Sequence, residues 1–190
     1  MILGVTGTIG AGKTTVCSVF KEMGYPVISA DEIGHEILTY NSVKESLRET
    51  FGDVFDRKGS VDRKKLAGKV FSSKENLEKL NCITHPLIKD EIIKRATKLE
   101  SKHSLVVCEV PLLFECGWEG LFDKILVVYV SKEETLNRLE KRGMTKEDAV
   151  LRYNSQMNPV EKIKKADFSI SNEGNLEELA FQVAQILNNC

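Results

Sequence analysis

Short apolar runs alternate with helical periodicities along this chain of 190 residues. Residues 2–6, 26–30, 105–110 and 125–130 are rich in Val, Ile and Leu with little polar alternation, as strands buried on both faces are. Residues 168–171 form a fifth candidate strand without that uniform apolarity. Helical patterns lie between and after these runs. One covers residues 13–23 and opens behind glycines, and another covers 133–141 behind Ser131, a good N-cap. A third, 176–187, places Leu176, Leu179, Ala180, Val183, Ala184 and Leu187 on one face. Such alternation predicts an α/β sandwich in which a five-stranded parallel sheet is covered by helices on both sides.

Two stretches interrupt the alternation. Residues 31–102 contain no convincing strand, only helix-like segments at 42–51, 62–71, 74–83 and 87–99. This predicts a helical insertion that handles a second substrate. Residues 142–165 are rich in charged and polar groups and read as a mobile lid. The expected organisation is one domain: a core of 1–30, 103–135 and 166–190, a helical acceptor lobe at 31–102 and a lid at 136–165.

Composition narrows the classes further. Hydrophobic residues at 42% and charged residues at 29% suit a globular chain with one well-buried core. A formal net charge of −1 provides no global basic field for nucleic acid, so an anionic ligand must be gripped locally. No apolar run approaches the roughly 18–20 residues of a membrane span. The opening MILGVTG lacks the basic start and small-residue cleavage site of a signal peptide. Five cysteines (Cys17, Cys82, Cys108, Cys116 and Cys190) include no C-x-x-C pair, and His35, His85 and His103 form no zinc spacing. Free thiols in a reducing compartment, the cytoplasm, are the expectation.

The strongest chemical signal is Gly7-Thr8-Ile9-Gly10-Ala11-Gly12-Lys13-Thr14, which meets G-x-x-x-x-G-K-[ST] at every specified position. A strand precedes it and a helix follows, which is the context the motif requires. Glycines let backbone N–H groups curl around a β-phosphate where side chains would obstruct them. The helix adds its positive end. Lys13 is expected at the β- and γ-phosphates, Thr14 at Mg²⁺, and Thr15 at the helix start or the α-phosphate. Gly10, Ala11 and Gly12 complete the cradle.

Such a loop serves switches and kinases alike. Asp31-Glu32-Ile33-Gly34 satisfies the short D-x-x-G pattern of GTPases, but no N-K-x-D motif occurs, and too few residues separate Thr14 from Asp31 for a switch loop. A kinase needs a carboxylate near its acceptor, arginines over the phosphates and a water-excluding lid. Asp31 follows the carboxyl end of the second strand, where ligands of open α/β sheets collect; capping the helix behind it is the structural alternative. Arg138 and Arg142, four apart, share a helix face and could grip a transferring phosphoryl group or simply be solvated.

Further along, the chain resembles the dephospho-coenzyme A kinase family over nearly its whole length. The resemblance rests on GTIGAGKTT, on His85-Pro86-Leu87-Ile88, on Pro111-Leu112-Leu113-Phe114-Glu115, and on Arg138 with Arg142. Gln156 and the run Ala166, Asp167, Ile170, Asn172 and Gly174 complete it. It implies transfer of the ATP γ-phosphate to the ribose 3′-hydroxyl of dephospho-coenzyme A. Asp31 would be the general base, Arg142 a lid contact to ATP, Asn172 and Gly174 neighbours of the adenine, and His85, Leu112 and Glu115 the acceptor lining. Strand-end packing for residues 111–113 and helix entry for His85 remain alternatives. Another acceptor, such as a nucleoside monophosphate, is the rival substrate. The family's D-A-D is Ser29-Ala30-Asp31 here, so its first acid is missing; Glu109 could supply the charge, or could pair with a lysine.

Replacing Lys13 with Ala is expected to lower turnover by orders of magnitude while leaving the fold intact. An ADP-release assay beside a melting curve checks this; near-normal turnover would mean the loop does not cradle a triphosphate.

Overall fold

The computed structural model describes residues 1–70 and 73–189. Five parallel strands form one sheet: β1 (Ile2–Gly7), β2 (Val27–Ser29), β3 (Val106–Glu109), β4 (Lys124–Tyr129) and β5 (Phe168–Ser171). Their spatial order is β2-β3-β1-β4-β5. The three central strands all come from the uniformly apolar runs, and their residues are mostly buried. The more polar β5 lies at an edge, paired only with β4. After β1 the chain crosses to one side of the sheet for β2 and later to the other side for β4, so the carboxyl end of β1 is a topological switch point.

The helices are α1 (Lys13–Glu22), α2 (Ala30–Ile37), α3 (Asn41–Phe51), α4 (Arg63–Val70), α5 (Lys74–Glu100), α6 (Lys132–Lys141), α7 (Lys146–Asn154), α8 (Pro159–Lys165) and α9 (Leu176–Leu187). By compactness the chain divides into two units, Met1–Ser29 with Ala96–Cys190, and Ala30–Arg95. In the first, Leu3, Val5, Val107, Leu126 and Val128 of the sheet join Val16 and Phe20 of α1 and Leu179, Val183 and Ile186 of α9 in one core. The second has its own smaller core of Val43, Leu47, Phe51, Val54, Phe55, Leu66 and Val70.

Three expectations are corrected. The helices expected at 74–83 and 87–99 are one helix of 27 residues with Pro86 inside it. Proline removes one i→i−4 bond at a cost of about 3 kcal/mol, which the many other backbone bonds of a long helix can absorb. Within α9 the buried stripe is Leu179, Val183 and Ile186, whereas Leu176 is 57% exposed. Finally, the polar stretch behind α6 holds two capped helices: Thr145 accepts from the N–H of Asp148, and Asn158 accepts from that of Val160 ahead of Pro159. Phe71, the end of the helix expected at 62–71, and Cys190 lie outside the described residues.

Cys17 and Cys108 are buried in the first unit, Cys116 is partly so, and Cys82 is exposed. Burial, with Glu109 second, pushes the Cys17 thiol far above its usual range. Burial likewise pushes Cys108 up to about 12, and burial with Glu115 pushes Cys116 up to about 11. Only the thiolate is reactive. Iodoacetamide at mildly alkaline pH is therefore expected to mark Cys82 well before Cys17, Cys108 and Cys116. Peptide mapping over time checks the order.

Candidate active site

The phosphate loop leaves β1 at Gly7 and enters α1 at Lys13. Gly7 is paired with Val128, and a Cβ on it would lie 2.0 Å from the Val128 carbonyl oxygen. Gly12 has φ +87°, a left-handed value, and a Cβ there would lie 2.1 Å from Asn172 Nδ2. Both positions need glycine, one for close backbone approach and one for conformation as well.

Side chains from distant elements hold the loop. Asn172, buried just after β5, donates Nδ2–H to the Ala11 carbonyl at 2.8 Å. Arg138 of α6 donates from Nη1 to the same carbonyl at 3.5 Å and from Nη2 to the Asn172 carbonyl at 2.7 Å. Its Nε donates to Glu134 at 2.7 Å, and this bond lowers the Glu134 carboxyl below its ordinary range. Ile9 N–H donates to Gln156 Oε1 at 2.8 Å. Within the loop, the buried Lys13 ammonium donates to the Gly7 and Thr8 carbonyls at 3.2 and 3.0 Å.

Thr14, the first residue beyond the lysine, donates its hydroxyl to Glu109 Oε1 at 2.9 Å. Glu109 ends β3 and is in register with Ser29 on β2 and with Val5 on β1. Residues in register on parallel strands project to the same face, so Glu109 stands beside the strand position where Ser29 replaces an acid. Two hard oxygen donors meet at the carboxyl end of the central strand, a donor set that suits Mg²⁺.

The remaining expected residues are placed as follows. Thr15 is exposed in the first turn of α1. Asp31 is exposed as the second residue of α2 rather than its N-cap, because that helix already begins at Ala30. A carboxylate in a first helical turn is favoured by the helix dipole. His85 lies inside α5, not at a helix entry, and partial burial pulls its pKa down. Leu112 is 40% exposed. Glu115 Oε1 lies 2.8 Å from Lys162 Nζ and accepts from Met157 N–H at 3.0 Å. Arg142 is exposed at the C-cap of α6, one turn beyond Arg138. Gly174 lies in the loop after β5, where a Cβ would meet the Glu178 carboxylate. Beside that loop, Ser131, Glu133, Glu134, Asn137 and Glu173 line a hollow of about 420 Å³.

Sequence reasoning missed Lys162 and the bracing work of Asn172 and Arg138. Lys162 is one of three lysines in α8, and a single sequence gives no sign that it alone is buried.

Comparison with known proteins follows the same lines. The family model for dephospho-CoA kinase matches residues 1–178. A dephospho-CoA kinase of Latilactobacillus sakei is 39% identical over 188 residues, covering 97% of this chain and 93% of its own. A Thermus thermophilus crystal structure superposes with a TM-score of 0.86 at 34% identity, covering 100% of this chain and 97% of that one. A dephospho-CoA kinase structure from Campylobacter jejuni gives 0.69 at 30% identity, covering 99% and 96%.

Substituting Gly12 by Ala is expected to drive Asn172 off the Ala11 carbonyl and to cost about 1–3 kcal/mol of stability. Urea unfolding measures the loss, and removing the clash with an added Asn172→Ala should restore part of it.

Proposed function

This chain belongs to the dephospho-CoA kinase family, and on that premise we propose how its own residues carry the ATP-dependent phosphorylation of dephospho-CoA. The observation that carries the reading is the convergence of Lys13, Thr14 and Glu109 at the carboxyl end of β1. Backbone N–H groups of residues 10–13 surround the β-phosphate, and Lys13 exchanges its loop carbonyls for β- and γ-oxygens. Thr14 and Glu109 are the residues that would hold Mg²⁺, which would neutralise charge on the phosphates. Glu109 thereby supplies from β3 the carboxylate that Ser29 does not supply from β2.

Asp31 orients the ribose 3′-hydroxyl of the acceptor. The hydroxyl oxygen attacks the γ-phosphorus in line, the bond to the β–γ bridging oxygen breaks, and ADP leaves with that electron pair. The hydroxyl proton passes to the Asp31 carboxylate. Because the transition state is loose, orientation contributes more than complete proton removal. Arg142 reaches the transferring group from the turn between α6 and α7, its planar fork matching phosphate oxygens. Arg138 uses three of its five N–H donors on Glu134 and two carbonyls, so it supports the loop from behind and keeps two for the nucleotide phosphates. Asn172 braces the Ala11 carbonyl through one N–H, and together with Gly174 it neighbours the adenine. His85, whose pKa partial burial lowers, and Leu112 contact the acceptor.

The test is Asp31→Asn. Asn is nearly isosteric and sits equally well in a first helical turn, so folding and ATP affinity should be preserved. Turnover with dephospho-CoA should fall by about 10²–10⁴. Measured kcat, both KM values and Tm decide it; a kcat within a few-fold of the parent would remove Asp31 from the mechanism.

A further inference from the structure

Lys162 is fully buried, at 0% side-chain exposure, on the short helix α8. Its ammonium lies 2.8 Å from Glu115 Oε1, behind β3, and the Glu115 side chain is itself only 20% exposed. Removing an ammonium and a carboxylate from water costs several kcal/mol per ion, so such a pair is poor as a simple device for stability. Glu115 has a further task. The same Oε1 accepts from Met157 N–H at 3.0 Å. Met157 belongs to the corner between α7 and α8, and the residue before it, Gln156, accepts from the Ile9 N–H of the phosphate loop at 2.8 Å. The corner is thus pinned twice, by Glu115 on one side and by the phosphate loop on the other.

We propose that Lys162 is a positioning residue for the phosphate loop, acting through Glu115 and the corner Gln156–Met157. Ile9 is the loop residue before Gly10, and the direction of its peptide plane sets where the following N–H groups point. Glycines at 10 and 12 give that stretch no side-chain restraint of its own. Gln156 supplies the restraint, and the charge-assisted bond from Met157 to Glu115 holds Gln156 in place. Lys162 keeps Glu115 aimed at Met157 N–H. It touches neither nucleotide nor acceptor. Glu115 accordingly serves the loop through Oε1 rather than the acceptor lining.

The inference rests on the kinase reading, but nucleotide affinity tests it with no acceptor present. The set is the parent protein, Lys162→Met, Gln156→Ala, the double variant and Lys162→Arg. ATP Kd is measured by titration calorimetry, with KM for ATP, kcat and Tm alongside. Lys162→Met and Gln156→Ala are each expected to weaken ATP binding about ten-fold. The double variant should be no weaker than the worse single, and Lys162→Arg should recover most of the loss. A folded Lys162→Met that binds ATP within about two-fold of the parent, the scatter of independent sites, overturns the proposal. So do losses that multiply in the double variant. Should Lys162→Met fail to fold, Lys162→Met with Glu115→Leu takes its place, since it removes the acceptor for Met157 N–H and leaves no unpaired charge buried; parental ATP affinity there also overturns the proposal. Failure of the parent to turn over dephospho-CoA would count against the kinase reading alone.

Discussion

The backbone of residues 7–13 has to be kept in one shape by partners from elsewhere, because glycine brings no side chain to do it. Three contacts supply that restraint. Asn172 and Arg138 hold the Ala11 carbonyl, and Gln156 holds the Ile9 N–H. They come from the loop after β5, from α6 and from the corner after α7. Most of the chain beyond β4 can be understood as the framework that delivers them. The parallel sheet sets β5 two strands from β1, which carries Asn172 to the loop, and Arg138 then joins its carbonyl to that of Ala11. A cradle built to receive phosphate must leave its inner N–H groups uncovered, so the restraints grip carbonyls and the first amide from outside.

The sheet was legible in the chain because buried parallel strands are apolar on both faces, and four of the five runs had that character. The phosphate loop was legible because the chemistry demands fixed residue types at fixed spacing. What could not be read depends on tertiary context. Pro86 signalled a helix boundary by local rules, yet α5 continues through it. Arg138 and Arg142 have equal claims in the sequence; only the fold commits the first to Glu134, Ala11 and Asn172. Lys162 is one lysine of a polar helix until the structure buries it against Glu115. Burial of a long charged side chain depends on what packs over it, and no periodicity announces that.

On the proposed reading, the register of Ser29 with Glu109 lets one strand supply what the other does not. Neighbouring strands in register present their side chains to one face at a separation of about 5 Å. A carboxylate lost from one strand can therefore be provided by its neighbour, with a longer side chain reaching the same space. The hydrogen bond from Thr14 to Glu109 shows the reach is sufficient.

The ammonium of Lys13 is satisfied without a nucleotide, since two carbonyls of its own loop accept from it. Capture of a phosphate is therefore an exchange of partners. A small anion offering one or two oxygens gives back little more than the loop already provides, and a cell holds such anions in abundance. A polyphosphate engages the amide cradle and the lysine together, and only that combined contact outweighs what is surrendered. Binding at this loop is thus a trade of internal hydrogen bonds for those to a ligand, and its strength is the difference between the two.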